Sequence, residues 1–179
     1  MLFRSAAELF VPDDDGPAAA ICWYDLGQSY DDLSHGVREE NLRHACELFE
    51  RSLRSPSRRR TPLRLALTHD ALGRMQRALA EHAHGSEARL LLAEAEEHYT
   101  QAFRAAEATG PVGFRDAATY HYNLANLHLQ RGRHDVAERH YRRALALLEE
   151  TRRDPVGFVD ALPPQRMPLG PVLRVGLAR

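Results

Sequence analysis

The sequence predicts an all-α protein, a stack of about three antiparallel helix hairpins. Three observations predict it. The 179 residues include 25 Leu and 26 Ala, against 15 Ile, Val and Thr together, which favours helix over strand. One pattern of small, aromatic and apolar positions occurs three times in chain order. Segments rich in Pro and Gly fall between its copies, where helices must end.

The elements follow in order. Residues 1–17 are expected to form a leader, with a short amphipathic piece (SAAELF) before the breaker VPDDDGP. A first helix is expected over AICWYDLGQSY (20–30) and its partner over HACELFERSL (44–53). The second pair is ALTHDALGRMQ (66–76) with EAEEHYTQAF (94–103), and the third is ATYHYNLANLH (118–128) with VAERHYRRAL (136–145). Each first helix carries a Leu followed by a small residue: Leu26-Gly27, Leu72-Gly73, Leu124-Ala125. Each second helix carries Ala, an aromatic four on, a small residue three on, then an apolar one. These sets are Ala45, Phe49, Ser52, Leu53; Ala95, Tyr99, Ala102, Phe103; and Ala137, Tyr141, Ala144, Leu145. Positions i, i+4, i+7 and i+8 lie on one helix face. Small residues there let antiparallel helices approach, and the aromatic fills the gap toward the next hairpin. One hairpin cannot bury both faces alone, so hairpins stack.

Breakers separate the pairs at SPSRRRTP (55–62), ATGPVGFRD (108–116) and RRDPVGFVD (152–160). The last two share PVGF, and Pro suits the first turn of a helix. Pro163-Pro164 then stop any fourth repeat, so DPVGFVDAL is expected to cap the stack. Residues 163–179 read as an extended, apolar, Pro-rich tail, expected to pack across Tyr141 and Leu145 or into a partner. The domain expected to fold spans 18–162.

WYDLGQSY and the A-x₃-aromatic sets resemble the tetratricopeptide repeat family at Trp23, Leu26, Gly27 and Tyr30, and in the third copy at Gly132, Ala137, Tyr141, Ala144 and Leu145. The second copy departs most, with His69 and Gln76 at the Trp and Tyr positions, and Glu149 stands where the family ends on Pro. The third copy has the family's spacing between its two helices. The first two carry about six and ten extra residues at the turn, which either lengthen helices or form loops. The resemblance implies a right-handed superhelical solenoid whose first helices line a concave groove. It places Tyr24, Asp25, Gln28, Asp31 and Asp32 of hairpin one there. From hairpin two it adds Asp70, Ala71, Arg74, Arg77 and Ala78, and from hairpin three Tyr122, Asn123, Asn126, Leu129 and Gln130. The implied role is a non-catalytic adaptor that takes a partner protein or peptide segment in this groove. The family's carboxylate clamp needs a cation where Asp70 stands, so a receptor for C-terminal carboxylates is not expected.

Other classes find less support. No apolar run approaches the length of a membrane span, and no signal peptide is read at the N-terminus, so a cytoplasmic protein is expected. The long hairpins look like those of repeat arrays in large bacterial multidomain proteins, so a bacterial one is expected. The net charge of −1 argues against a dedicated polyanion binder. All 24 basic residues are Arg, and Arg54, Arg58, Arg59, Arg60 and Arg64 form a cluster that could neutralise phosphates. Without interleaved aromatics, nucleic-acid binding remains a minor alternative. Self-assembly, as a module of a larger complex, is the other. No HExxH, CxxC, GxSxG or phosphate loop occurs among the motifs, so no metal, cofactor or enzymatic activity is expected. His69 and His121 are expected to be half-buried between hairpins, His98 and His140 to be packing or surface residues, and Cys22 and Cys46 to act as small packed hydrophobes.

Overall fold

A computed structural model describes residues 17–32, 37–56 and 61–153. They form six helices: α1 (Pro17–Asp31), α2 (Arg38–Arg54), α3 (Pro62–Ala80), α4 (Gly85–Glu107), α5 (Pro111–Gln130) and α6 (His134–Arg153). There is no strand among the described residues. Each helix packs chiefly against its neighbours in sequence, so the pairs α1–α2, α3–α4 and α5–α6 are three hairpins in a row. The expected all-α stack is what the chain forms. The leader, the segment SRRR, the cap DPVGFVDAL and the tail 163–179 lie wholly or almost wholly outside the described residues.

The start of each later hairpin is set by proline. Pro62 and Pro111 occupy the first turns of α3 and α5, where the missing N–H costs nothing. The α5–α6 turn is closed by Gly132 at φ +70°. Its N–H donates to the Leu129 carbonyl and the Arg133 N–H reaches back to the His128 carbonyl at 2.8 Å, the double bond of a glycine-terminated helix end.

The extra residues of hairpin two lengthen a helix and form no loop. α3 runs on to Ala80, only four residues separate it from α4, and α4 begins ten residues before Ala95. In hairpin one, α2 likewise starts seven residues before Ala45. α6 starts three residues before Ala137, the spacing of the shorter repeat.

The repeat positions form the core. Ala45, Ala95 and Ala137 are buried, as are Phe49 and Tyr99. Small pairs meet inside each hairpin: Ala20 with Ser52, whose hydroxyl donates to the Ala20 carbonyl at 2.7 Å, then Ala66 with Ala102, then Ala118 with Ala144. The glycines that follow Leu26 and Leu72 lie under the aromatic ring of their own hairpin. A Cβ on Gly27 would stand 2.7 Å from Phe49, and one on Gly73 2.8 Å from Tyr99. Between hairpins, Ala66, Ala102, Ala106, Ala117, Ala118, Tyr120, Ala144 and Leu147 form one cluster, flanked by Phe103 and Phe114. The first turn of α5 presses on the end of α4: a Cβ on Gly113 would lie 2.0 Å from the Ala106 carbonyl oxygen.

Candidate functional site

The first helices α1, α3 and α5 carry the positions expected in the groove, and part of that set is already joined by its own bonds. Asp31 of α1 accepts from the Arg74 guanidinium of α3 at 3.1 Å. Arg74 also donates to Asp70, one turn earlier, at 3.3 Å. The other Asp70 oxygen accepts from the Asn123 amide of α5 at 2.8 Å. Arg38 at the start of α2 adds a second cation to Asp31 at 2.8 Å. An unbroken polar chain thus crosses all three hairpins.

This chain is half sheltered. The side chains of Asp31 and Asp70 are only 12% and 14% exposed. Burial raises the Asp70 carboxyl above its usual range, while the amide of Asn123 and the charge of Arg74 pull it back. Arg74 is held charged by Asp70 and Asp31 against the desolvation of its own site. Charges so placed gain strongly from each other, because the surroundings screen them less than water would.

The remaining groove candidates divide. Tyr24 leans on Phe49, with ring centroids 5.4 Å apart, and its hydroxyl accepts from Gln28 at 3.2 Å. Arg77 lies 3.7 Å from Glu81, the residue that follows the end of its helix. Asn126 accepts from the Tyr141 hydroxyl at 2.6 Å. Asp25, Tyr122 and Gln130 are exposed. Arg74 and Asn126 are therefore bonded, half-buried groups; the sequence places both on the groove face without showing that either is engaged.

Tyr122 also borders a second feature. An apolar groove of about 470 Å³ runs between α5 and α6 at the end of the third hairpin, lined by Ala118, Thr119, Tyr122, Tyr141, Ala144, Leu145 and Leu148. Spacing in the sequence points to Tyr141 and Leu145 here. Leu148, about one turn on, and Ala118 and Thr119 of α5 are members that the repeat pattern does not name.

The histidines pair within hairpins. His69 of α3 and His98 of α4 approach through their Nδ1 atoms at 2.9 Å. His121 of α5 and His140 of α6 do so at 3.0 Å, at the same repeat positions. His121 also stacks on Phe103 of the preceding hairpin, at 4.2 Å between centroids, and it is buried, where half-burial is expected, while His69 is half-buried. His140 and His98 are partners in these pairs. Burial, and the second ring of each pair, push His69 and His140 down to about 4. Among the described residues no group of three or more His, Cys, Asp or Glu could hold a metal ion.

The cysteines divide too. Cys46 packs on the hairpin-one core and burial pushes its thiol up to about 12, the state of an inert packing residue. Cys22 is exposed, which corrects the expectation that it is packed. Its neighbour Trp23 is the buried one, covered by the Arg51 guanidinium 3.8 Å above its ring. Neighbours in a helix point about 100° apart, so adjacency to a buried residue says little about burial.

Three helix pairs, stacked in chain order through one repeated set of small and aromatic residues, define a helical-repeat protein. Residues 89–150, from early α4 to near the end of α6, match the family model for the tetratricopeptide repeat. That stretch is similar to tetratricopeptide repeats, and the six described helices are consistent with repeats of this type. The chain matches no curated protein. No described helix is long and apolar enough to cross a membrane.

Proposed function

We propose that the protein is a non-catalytic adaptor that holds a segment of a partner protein along the face shared by α1, α3 and α5. The observation that carries this reading is the chain Asp31–Arg74–Asp70–Asn123. It ties the three first helices together before any partner arrives, so less order has to be created on binding. Around it, Asp25, Tyr122 and Gln130 are open to solvent, and Tyr24, Gln28, Arg77 and Asn126 offer partly open polar edges. Tyr supplies rigid contact area, and the amides can bond an extended backbone. Helical repeats of this type serve mainly as protein-interaction modules, which is why catalysis has no place in the reading. The working unit is residues 18–162, flanked by leader and tail, in the cytoplasm of a bacterial cell.

The test begins with capture of partners from the source cell by the full chain, identified by mass spectrometry. Asp25→Arg and Gln130→Arg change exposed groove positions. Each should weaken the captured partner by about tenfold, the scale of a single interface contact of consequence. Arg152→Ala, on the last turn of α6, should leave it unchanged. Equal binding by all three variants would remove the groove as the site.

Self-assembly is the second reading, favoured by the apolar groove left open at the end of hairpin three. Light scattering on the full chain decides it: a monomer mass across concentrations sinks it. The arginine run 58–60, on which a nucleic-acid reading depends, lies outside the described residues.

A further inference from the structure

The apolar groove between α5 and α6 has a counterpart one hairpin earlier. With Leu72 set against Leu124, and Ala95 against Ala137, Ala118 matches Ala66. Likewise Tyr141, Ala144, Leu145 and Leu148 match Tyr99, Ala102, Phe103 and Ala106. On hairpin two these positions are covered, with Phe103 half-buried: Ala66, Ala102 and Ala106 are 0% exposed and Tyr99 is 1% exposed. On hairpin three, Leu145 is 64% and Leu148 48% exposed. The difference is one element. The first turns of α5, opening with Pro111-Val112-Gly113-Phe114, lie on the hairpin-two surface, with Gly113 against the Ala106 carbonyl and Phe114 on the cluster of Ala66, Ala102 and Ala106.

The same four residues recur as Pro155-Val156-Gly157-Phe158, two positions beyond the end of α6. We infer that residues 155–162, PVGFVDAL, occupy the groove on hairpin three as the start of α5 occupies its counterpart, with Phe158 the anchor.

Reach and chemistry both support this occupant. The chain leaves α6 at Arg153, five residues past Leu148. The groove follows α6 from Leu148 back to Tyr141, about 10 Å of helix. Eight residues returning along it span about 12 Å even if helical. The lining presents almost no polar group to pair with, which suits Val156, Phe158, Val159 and Leu162. An end hairpin with a bare apolar face is the weak point of a stacked repeat, and closing it is the usual requirement for such stacks. The tail 163–179 is also apolar, but it has no aromatic and no counterpart among the described elements.

The test uses the full chain with Cys22→Ser and Cys46→Ser, so that one introduced thiol reports. Thr119→Cys places it on the groove wall without removing an apolar contact. Ala146→Cys, exposed on α6 outside the groove lining, is the control. Thr119→Cys should react with iodoacetamide about tenfold more slowly than the control, as a site reached only by local opening does. Adding Phe158→Asp should remove that protection at unchanged helical circular dichroism; Phe158→Ala, the milder change, should remove part of it. Equal rates at the two thiols would overturn the inference. Protection that survives Phe158→Asp but is lost with Leu173→Asp would assign the groove to the tail and overturn it too. Protection that fades on dilution would assign it to a second copy of the chain, with the same consequence.

Discussion

At residue scale, Gly27 shows how a repeat position works physically. Glycine normally costs a helix about 1 kcal/mol relative to alanine. Here it leaves room for the ring of Phe49, which is fully buried. Gly73 does the same for Tyr99. In hairpin three Ala125 takes the place, and Tyr141 is only half-buried, its hydroxyl on Asn126. Replacing Gly27 by Leu should drive Phe49 out of its site and cost about 1–3 kcal/mol, read as a lower melting temperature. An unchanged melt would mean that Phe49 can give way freely. The histidine pairs make a second prediction. In each Nδ1···Nδ1 contact one ring donates and the other accepts, so the two rings of a pair cannot both be protonated. His69, His98, His121, His128 and His140 are all held below the ordinary 6.5, chiefly by burial. The charged groups facing them are Glu97 for the first pair, and Glu96, Glu107, Arg131, Arg133, Arg139 and Arg143 for the second cluster. The unfolded chain therefore takes up protons first as the pH drops. Stability is full above about 6.5 and falls between there and about 4. Asp70 and Asp116, whose carboxyls burial raises, act in the opposite sense at the lower end. Melting temperatures from pH 7.5 to 4.5 should decline, and more shallowly in a His69→Gln, His140→Gln double variant. Parallel slopes would take the pairs out of the acid response.

At the scale of elements, the joints between helices are set by backbone approach as much as by side chains. Gly113 is the tightest, with the Ala106 carbonyl where its Cβ would go. Alanine there gains helix propensity, yet a backbone oxygen cannot swing aside as a ring can. Gly113→Ala should therefore cost about 1–3 kcal/mol, despite the gain of up to about 1 kcal/mol in the helix itself. A stabilised variant would show that α4 and α5 slide apart cheaply. At the opposite end of the α4–α5 contact, Glu96 of α4 is paired with Arg131 and, at 3.2 Å, with Arg133, both in the α5–α6 turn. The six helices were legible because Leu-small and Ala-x₃-aromatic spacings name a face, and Pro62 and Pro111 name a start. What was not legible was the fate of the extra residues in HAHGSEARLL. Helix and loop are both open to such a composition. Extension of α4 is favoured because Leu91 packs on the cluster shared by hairpins one and two, and Leu92 on the cluster shared by hairpins two and three.

For the whole molecule, the polar chain from Asp31 to Asn123 links the three hairpins through α1, α3 and α5. Asp70 sits at its centre with two partners. Asp70→Ala would leave both Arg74 and Asn123 short of an acceptor in a half-sheltered site, at about 1–3 kcal/mol. In a stack of repeats that loss should appear as a broader unfolding transition, because each repeat meets only its neighbours. An equally steep denaturant transition with an unshifted midpoint would show that apolar contacts alone hold the stack together. The sequence by itself determined the six described helices, their pairing and most of the buried repeat positions, because each rests on spacing within a few turns of one helix, where geometry is local. It also marked Tyr122, Asn123 and Arg74 as facing one way. Only the tertiary structure decided that Asp31, Arg74, Asp70 and Asn123 satisfy one another, that the histidines meet ring to ring, and that Leu148 completes an open groove. Those outcomes join residues up to 53 positions apart, and they depend on how far one hairpin turns against the next, a quantity that no single helix face encodes.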